Sequence, residues 1–132
     1  MKTFCVDAIK ENLQSVTDFV TDQLGENADS RLCFELELIC EEIFINICSY
    51  AYGDNIGTAE IEVGTLSDSI VIKFIDSGKE FNPLEKADPD INAPLEERNI
   101  GGLGIFMTKK LSDKLSYERY DGKNILTIVK KL

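Results

Sequence analysis

Histidine is absent from this 132-residue sequence. Its absence removes any Ser-His-Asp or Cys-His catalytic set, a phosphohistidine on the chain itself, and the imidazole half of a zinc site. The four cysteines, Cys5, Cys33, Cys40 and Cys48, include no Cys-x-x-Cys pair, so a zinc ribbon is also unavailable. Three of them fall in one helical stretch, where a free thiol packs as a small buried hydrophobe, and a reducing compartment is expected. No uncharged apolar run is long enough for a transmembrane helix. The stretch 1–7 lacks the apolar core of a secretory signal, so the cytosol is the expected location and no membrane partner is expected. Positive charge is scarce: 14 Lys and Arg against 24 Asp and Glu leave a net charge of −10, which repels nucleic-acid phosphates. The one basic cluster, Lys109, Lys110, Lys114, Lys130 and Lys131, reads as a solvated face.

What is present is an ordinary globular balance, 43% hydrophobic and 29% charged. It suffices for one domain over 1–132 with its own core. A short strand is predicted over about 2–7 and a helix over about 9–24, with Leu13, Val16, Val20 and Leu24 at helical spacing. A second helix covers about 29–50. Leu32, Leu36, Ile39, Ile43 and Ile47 draw one apolar stripe along it. At ~100° per residue, Glu42 and Asn46 lie side by side at the margin of that stripe, whereas Glu37 and Glu41 lie far round on the other side. The spacing alone therefore separates two adjacent glutamates. Period two follows in 59–63 and a buried run in 70–75, a predicted hairpin. Periodicity is then lost until Ile100, across a stretch holding all three prolines, and loops this long are commonly functional lids. Gly101-Gly102-Leu103-Gly104 opens a helix to about Ser112, and strands near 115–120 and 125–131 flank a turn at Asp121-Gly122.

Three local features carry chemistry. Glu42-x-x-x-Asn46 sets a carboxylate and an amide one turn apart at the edge of a buried helix face. Asp76-Ser77-Gly78 ends a buried strand, where an aspartate can accept a hydrogen bond from an exocyclic amine and a glycine lets a flat ring approach. Gly101, Gly102 and Gly104 begin a helix, where backbone amides and the dipole favour anions. Singly, these are a polar rim, a turn and a helix start. Neither a Walker sequence nor a dinucleotide fingerprint surrounds the glycines.

In this order the residues resemble the nucleotide-binding blocks of the Bergerat ATPase superfamily, which includes gyrase and the kinase domains of sensor histidine kinases. Glu42-Ile43-Phe44-Ile45-Asn46 looks like the N box, Asp76-Ser77-Gly78 like the first glycine box, and Gly101-Gly102-Leu103-Gly104 like the second. Within the superfamily the sequence is similar to the small bacterial anti-sigma-factor serine/threonine kinases. It is so over Cys40–Asn46, Asp76–Pro83 and Gly101–Phe106, and in overall length. The resemblance implies an α+β fold, a two-layer α/β sandwich whose mixed, mainly antiparallel sheet is covered on one face by helices. It implies ATP and Mg2+, with Glu42 as general base, Asn46 on the magnesium ion and Asp76 on the adenine amino group. Gly78 would lie beside Asp76, and Gly101, Gly102 and Gly104 around the phosphates, under a lid spanning 79–100. Glu80 stands where the first glycine box often has a second glycine, and Thr127 is the position for a threonine supporting Asp76. The implied activity is phosphorylation of a serine or threonine on an anti-sigma antagonist, with a sigma factor as a competing partner and homodimerisation. The alternative is an ATP-binding regulator that sequesters its partner without catalysis; a fragment of a two-component sensor kinase ranks lower. Lys109, Lys110 and Arg98 are read as solvated cations.

Overall fold

The computed structural model describes residues 1–85 and 100–132, with the backbone alone for 100–103. Among these residues alternation of apolar and polar side chains builds five strands: β1 (Lys2–Asp7), β2 (Thr58–Thr65), β3 (Ser69–Asp76), β4 (Lys114–Tyr120) and β5 (Lys123–Lys131). They form one sheet in the order β1-β2-β3-β5-β4. All four pairings are antiparallel, so the sheet expected to be mixed but mainly antiparallel is antiparallel in every pairing among the described residues. The cause is the connectivity: β2–β3 and β4–β5 are hairpins, and the chain re-enters after the last helix so that β5 runs against β3. The β4–β5 turn uses Asp121 and Gly122, both at positive φ (51° and 73°). That is the primed geometry which matches strand twist, and a small polar residue followed by glycine accommodates it.

Among the described residues three helices cover one face of the sheet: α1 (Leu13–Asp22), α2 (Ser30–Asn46) and α3 (Ile100–Leu111). The middle one, α2, packs against both neighbours. It starts at Asp29, whose carboxylate accepts the Leu32 amide at 2.8 Å, satisfying one of the free donors of the first turn. The expected stripe is the buried one: Leu32, Leu36, Ile39, Ile43 and Ile47 are all core residues. They meet Ile61, Ile70, Ile72, Phe74, Leu126 and Ile128 from the sheet. Phe4 of β1 stacks on Phe19 of α1 at 5.1 Å, closing one end. Cys40 is fully buried and its thiol is pushed up to about 12 by desolvation, so it packs as a hydrophobe.

Two expectations are corrected here. Lys130 is not on a solvated face: only 7% exposed, it ion-pairs with Glu35 of α2 at 2.5 Å and donates to the Leu111 carbonyl at the end of α3 at 2.6 Å. Position 130 shares the inward face of β5 with Leu126 and Ile128, and the ammonium is retained there because both partners meet it. Thr127 is the second. It lies on the opposite, helix-free face of β5, paired with Lys73 and Ser116, and cannot reach Asp76. Among the described residues no helix is long and apolar enough to cross a membrane. Most of the lid expected over 79–100, with Arg98, lies outside the described residues.

Candidate nucleotide site

The α-helical hydrogen bonding of α2 ends at Asn46 and gives way to a π-turn, Ile47–Ala51, a departure often found at functional positions. The turn carries Ala51 against the end of β3. There the Lys79 amide donates to the Ala51 carbonyl at 2.8 Å, and a Cβ on Gly78 would run into that same carbonyl. Gly78 is therefore small in order to admit the π-turn. Tyr52 adds a second tie: its hydroxyl accepts the Ser77 amide at 2.9 Å and donates to the Thr58 carbonyl at 2.5 Å. Main chain and tyrosine together fix the Asp76-Ser77-Gly78 turn beside Asn46.

Asn46 and Asp76, thirty positions apart, line one cleft with an apolar floor of Ile43, Ile47, Phe74 and Leu126. Asp76 is 7% exposed. Its Oδ1 accepts the Gly78 amide at 2.9 Å and the Asn124 side-chain amide at 2.9 Å. Among the described residues nothing donates to Oδ2, which leaves the carboxylate one acceptor for a ligand in an apolar setting. The cavity between these walls is about 50 Å3, room for water and not for a purine. Entry of a nucleotide base therefore displaces side chains at the mouth, where Tyr50 is 59% exposed and Phe81 and Tyr117 complete the rim.

Glu42, one turn before Asn46, faces α3. Gly104 packs against it so closely that a Cβ at position 104 would land on the Glu42 carboxylate. The two line a neighbouring hollow of about 220 Å3 between α2 and α3, with Leu38, Ile45 and Met107. Gly101 and Gly102 fall in the first turn of α3, where backbone amides have no partner within the helix. Glu41, exposed as the helical spacing predicts, stands at the edge of the same hollow. The structure thus joins Asn46 with Asp76 in one cleft and Glu42 with Gly104 beside it, on the same helix. Among the described residues no group of three acidic, cysteine or histidine side chains could hold a metal alone. The donor chemistry at Asn46, a single neutral carbonyl oxygen, suits magnesium that takes its other ligands from phosphate and water.

Sequence reasoning missed Asn124. It is 6% exposed, stands directly opposite Asp76 in the β3–β5 register, and holds the position assigned to Thr127. Strand parity would have found it: Asn124 is in phase with the buried Leu126 and Ile128, and Thr127 is out of phase.

Comparison with known proteins gives the family and the fold. A family model described as a histidine kinase-like ATPase domain matches residues 6–130. The serine/threonine-protein kinase BtrW of Bordetella bronchiseptica is 27% identical over 106 residues, covering 80% of this chain and 75% of that protein. The serine-protein kinase RsbW of Bacillus cereus is 30% identical over 96 residues, covering 70% of this chain and 60% of that protein; the chain thus spans less than two thirds of the RsbW relatives. Two solved structures share the fold. One is the histidine kinase domain of the Erythrobacter litoralis EL346 blue-light activated histidine kinase (TM-score 0.58, 14% identity, 91% of this chain and 61% of that one). The other is the Acinetobacter baumannii histidine kinase AdeS (TM-score 0.54, 16% identity, 99% and 68%). The chain belongs to the histidine kinase-like ATPase domain family.

Proposed function

We propose that this chain binds ATP with Mg2+ and transfers the γ-phosphoryl group to a serine or threonine hydroxyl of a partner protein. The observation that carries the reading is the convergence of Asn46 and Asp76 on one cleft, with Glu42 a single turn away. Phosphoryl transfer asks a protein mainly for positioning and charge neutralisation, and these residues divide that work. Asp76 Oδ2 accepts the amino group of adenine. Asn46 offers its side-chain oxygen to the metal. Magnesium, when bound, offsets the charge of the phosphates. The backbone amides of the first turn of α3, at Gly101 and Gly102, donate to phosphate oxygens, and Gly104, one turn further on, keeps the helix close to Glu42. The Glu42 carboxylate accepts the proton of the acceptor hydroxyl as its oxygen attacks phosphorus and the bond to the ADP leaving group breaks.

Kinship with proteins named serine or serine/threonine kinases supports transfer to protein over hydrolysis alone. Together with the motif resemblance, the reading takes an anti-sigma antagonist as the acceptor, a sigma factor as a second ligand, a homodimer and a cytoplasmic setting as part of the proposal. The test uses Glu42→Ala with wild type, magnesium-ATP and partner proteins captured from the source cell. Phosphoserine and phosphothreonine are read by mass spectrometry and ATP binding by calorimetry. Binding is expected to persist while the transfer rate falls about 10²–10⁴-fold, the usual contribution of a general base. Transfer by Glu42→Ala at the wild-type rate overturns the base assignment. Wild-type ATP binding with no phosphoryl transfer to any captured partner leaves a regulator that sequesters rather than phosphorylates.

A further inference from the structure

The Asn124 side chain spends all its hydrogen-bonding capacity inside the protein. Its Nδ2 donates to Asp76 Oδ1 at 2.9 Å and to the Lys79 carbonyl at 2.8 Å. Its Oδ1 accepts the Tyr117 hydroxyl at 2.5 Å and the Phe81 amide at 3.2 Å. The orientation of the amide is set by its neighbours, because a backbone carbonyl only accepts and a backbone N–H only donates. A flipped amide would face Lys79 oxygen with oxygen and the Phe81 N–H with NH2. Nδ2 is therefore held as a donor against Asp76, which must answer as an acceptor.

We infer that Asn124 is the positioning residue that makes this site read a 6-amino purine and reject a 6-oxo purine. The inference rests on the adenine reading of Asp76 proposed above. Oδ1 of Asp76 is saturated by Asn124 and Gly78, so the carboxylate presents Oδ2 to the cleft as an acceptor with no proton to give. Adenine brings a donor to that place. Hypoxanthine and guanine bring a carbonyl oxygen, which leaves two acceptors facing each other in an apolar cleft, and an unmet buried polar contact is the strongest form of discrimination a pocket has. Without Asn124, the carboxylate is free to rotate and to share its partners. The same amide ties Lys79 and Phe81, the residues that follow the turn, to β5. Base recognition and the path of the chain out of the site thus share one side chain.

The experiment measures dissociation constants of magnesium-ATP and magnesium-ITP for wild type, Asn124→Leu and Tyr117→Phe, with unfolding midpoints as a check on folding. ITP differs from ATP by the 6-oxo group and its ring proton. Wild type is expected to prefer ATP at least tenfold. Asn124→Leu keeps the branched shape and the number of heavy atoms, removes the donor and brings that ratio toward one. Tyr117→Phe takes one donor from Asn124 Oδ1 and narrows the ratio in the same direction by a smaller factor. A variant that only loosens the fold weakens both nucleotides alike and leaves the ratio where it was. A wild-type ratio retained in folded Asn124→Leu, or in Tyr117→Phe should Asn124→Leu not fold, overturns the role of Asn124 while leaving ATP binding intact. Absence of any saturable ATP binding by wild type overturns the adenine reading, and this inference with it.

Discussion

Two glycines illustrate how one residue type serves opposite purposes. Gly78 and Gly104 both lack the room for a Cβ, but the obstacles differ. At Gly78 the obstacle is the Ala51 carbonyl, a main-chain atom fixed by its bond from the Lys79 amide. At Gly104 it is the tip of Glu42, which can rotate away. Gly78→Ala is therefore expected to lose about 1–3 kcal/mol of stability, as crowding in a packed region does. Gly104→Ala is expected to stay within about 1 kcal/mol of wild type, helped by the better helix propensity of alanine. Its cost falls on chemistry: displacing the proposed base should cut phosphoryl transfer by 10²-fold or more, on the order of its removal. Urea midpoints and transfer rates measured side by side decide the matter. A Gly104→Ala protein that unfolds early, or that transfers at full rate, contradicts the assignment of Glu42 to the reaction rather than to packing.

At the scale of elements, Lys130 acts as a clasp. From β5 it meets Glu35 of α2 and the Leu111 carbonyl at the end of α3, so one ammonium joins three elements. Glu35 also receives Arg31 at 2.9 Å. The Lys130 hydrogen bond first, and then that of Arg31, hold the Glu35 carboxyl below its ordinary value of 4.5. A depressed folded value stabilises the native state above the unfolded pKa, and this contribution fades as pH falls through the folded one. Glu35→Gln should then cost about 1–3 kcal/mol at pH 7, where it leaves a nearly buried ammonium half-met. The difference from wild type should shrink as pH falls below the ordinary value of 4.5 and through the lowered native one. Urea unfolding across that range reads it, and a penalty constant with pH would mean that shape rather than charge matters. Elements of this kind mark the limits of the sequence reading. The stripe on α2 was legible because five apolar residues agree on one face, and it set Glu42 apart from Glu41 without coordinates. The strands were legible from period two. Lys130 was not, since a lysine beside another lysine at the chain end looks like surface until the partner thirty-five residues into the chain is brought over it. Thr127 was assigned through likeness alone, against the parity of its own strand. The π-turn, which explains Gly78, leaves no pattern in residue types because it is a change in hydrogen bonding and not in composition.

At the scale of the molecule, the cleft is too small for its proposed ligand and the chain carries the same sign of charge as that ligand. A net charge of −10 opposes a triphosphate at long range, so binding depends on local partners: the open acceptor at Asp76, the amides of α3, and a divalent ion that lowers the charge of the ligand before it arrives. Magnesium removal by chelation is therefore expected to weaken ATP binding more than it would in a basic nucleotide-binding protein. A ligand that binds only the native state must raise the unfolding midpoint, by about 2.7 kcal/mol of free energy at a concentration one hundred times the dissociation constant. For a domain of this length that corresponds to a midpoint rise of about 10 °C. Magnesium-ATP should produce the rise, ATP with a chelator a fraction of it, and magnesium-GTP little, since its 6-oxo group meets the acceptor of Asp76. Because opening the 50 Å3 cavity costs part of the contact energy, the dissociation constant is expected to be weak, and the titration must reach millimolar nucleotide before a flat response counts. Equal rises with ATP and GTP would mean that the phosphates alone are held and that Asp76 does not face the base. No rise with any nucleotide would mean that the side chains at the mouth do not part.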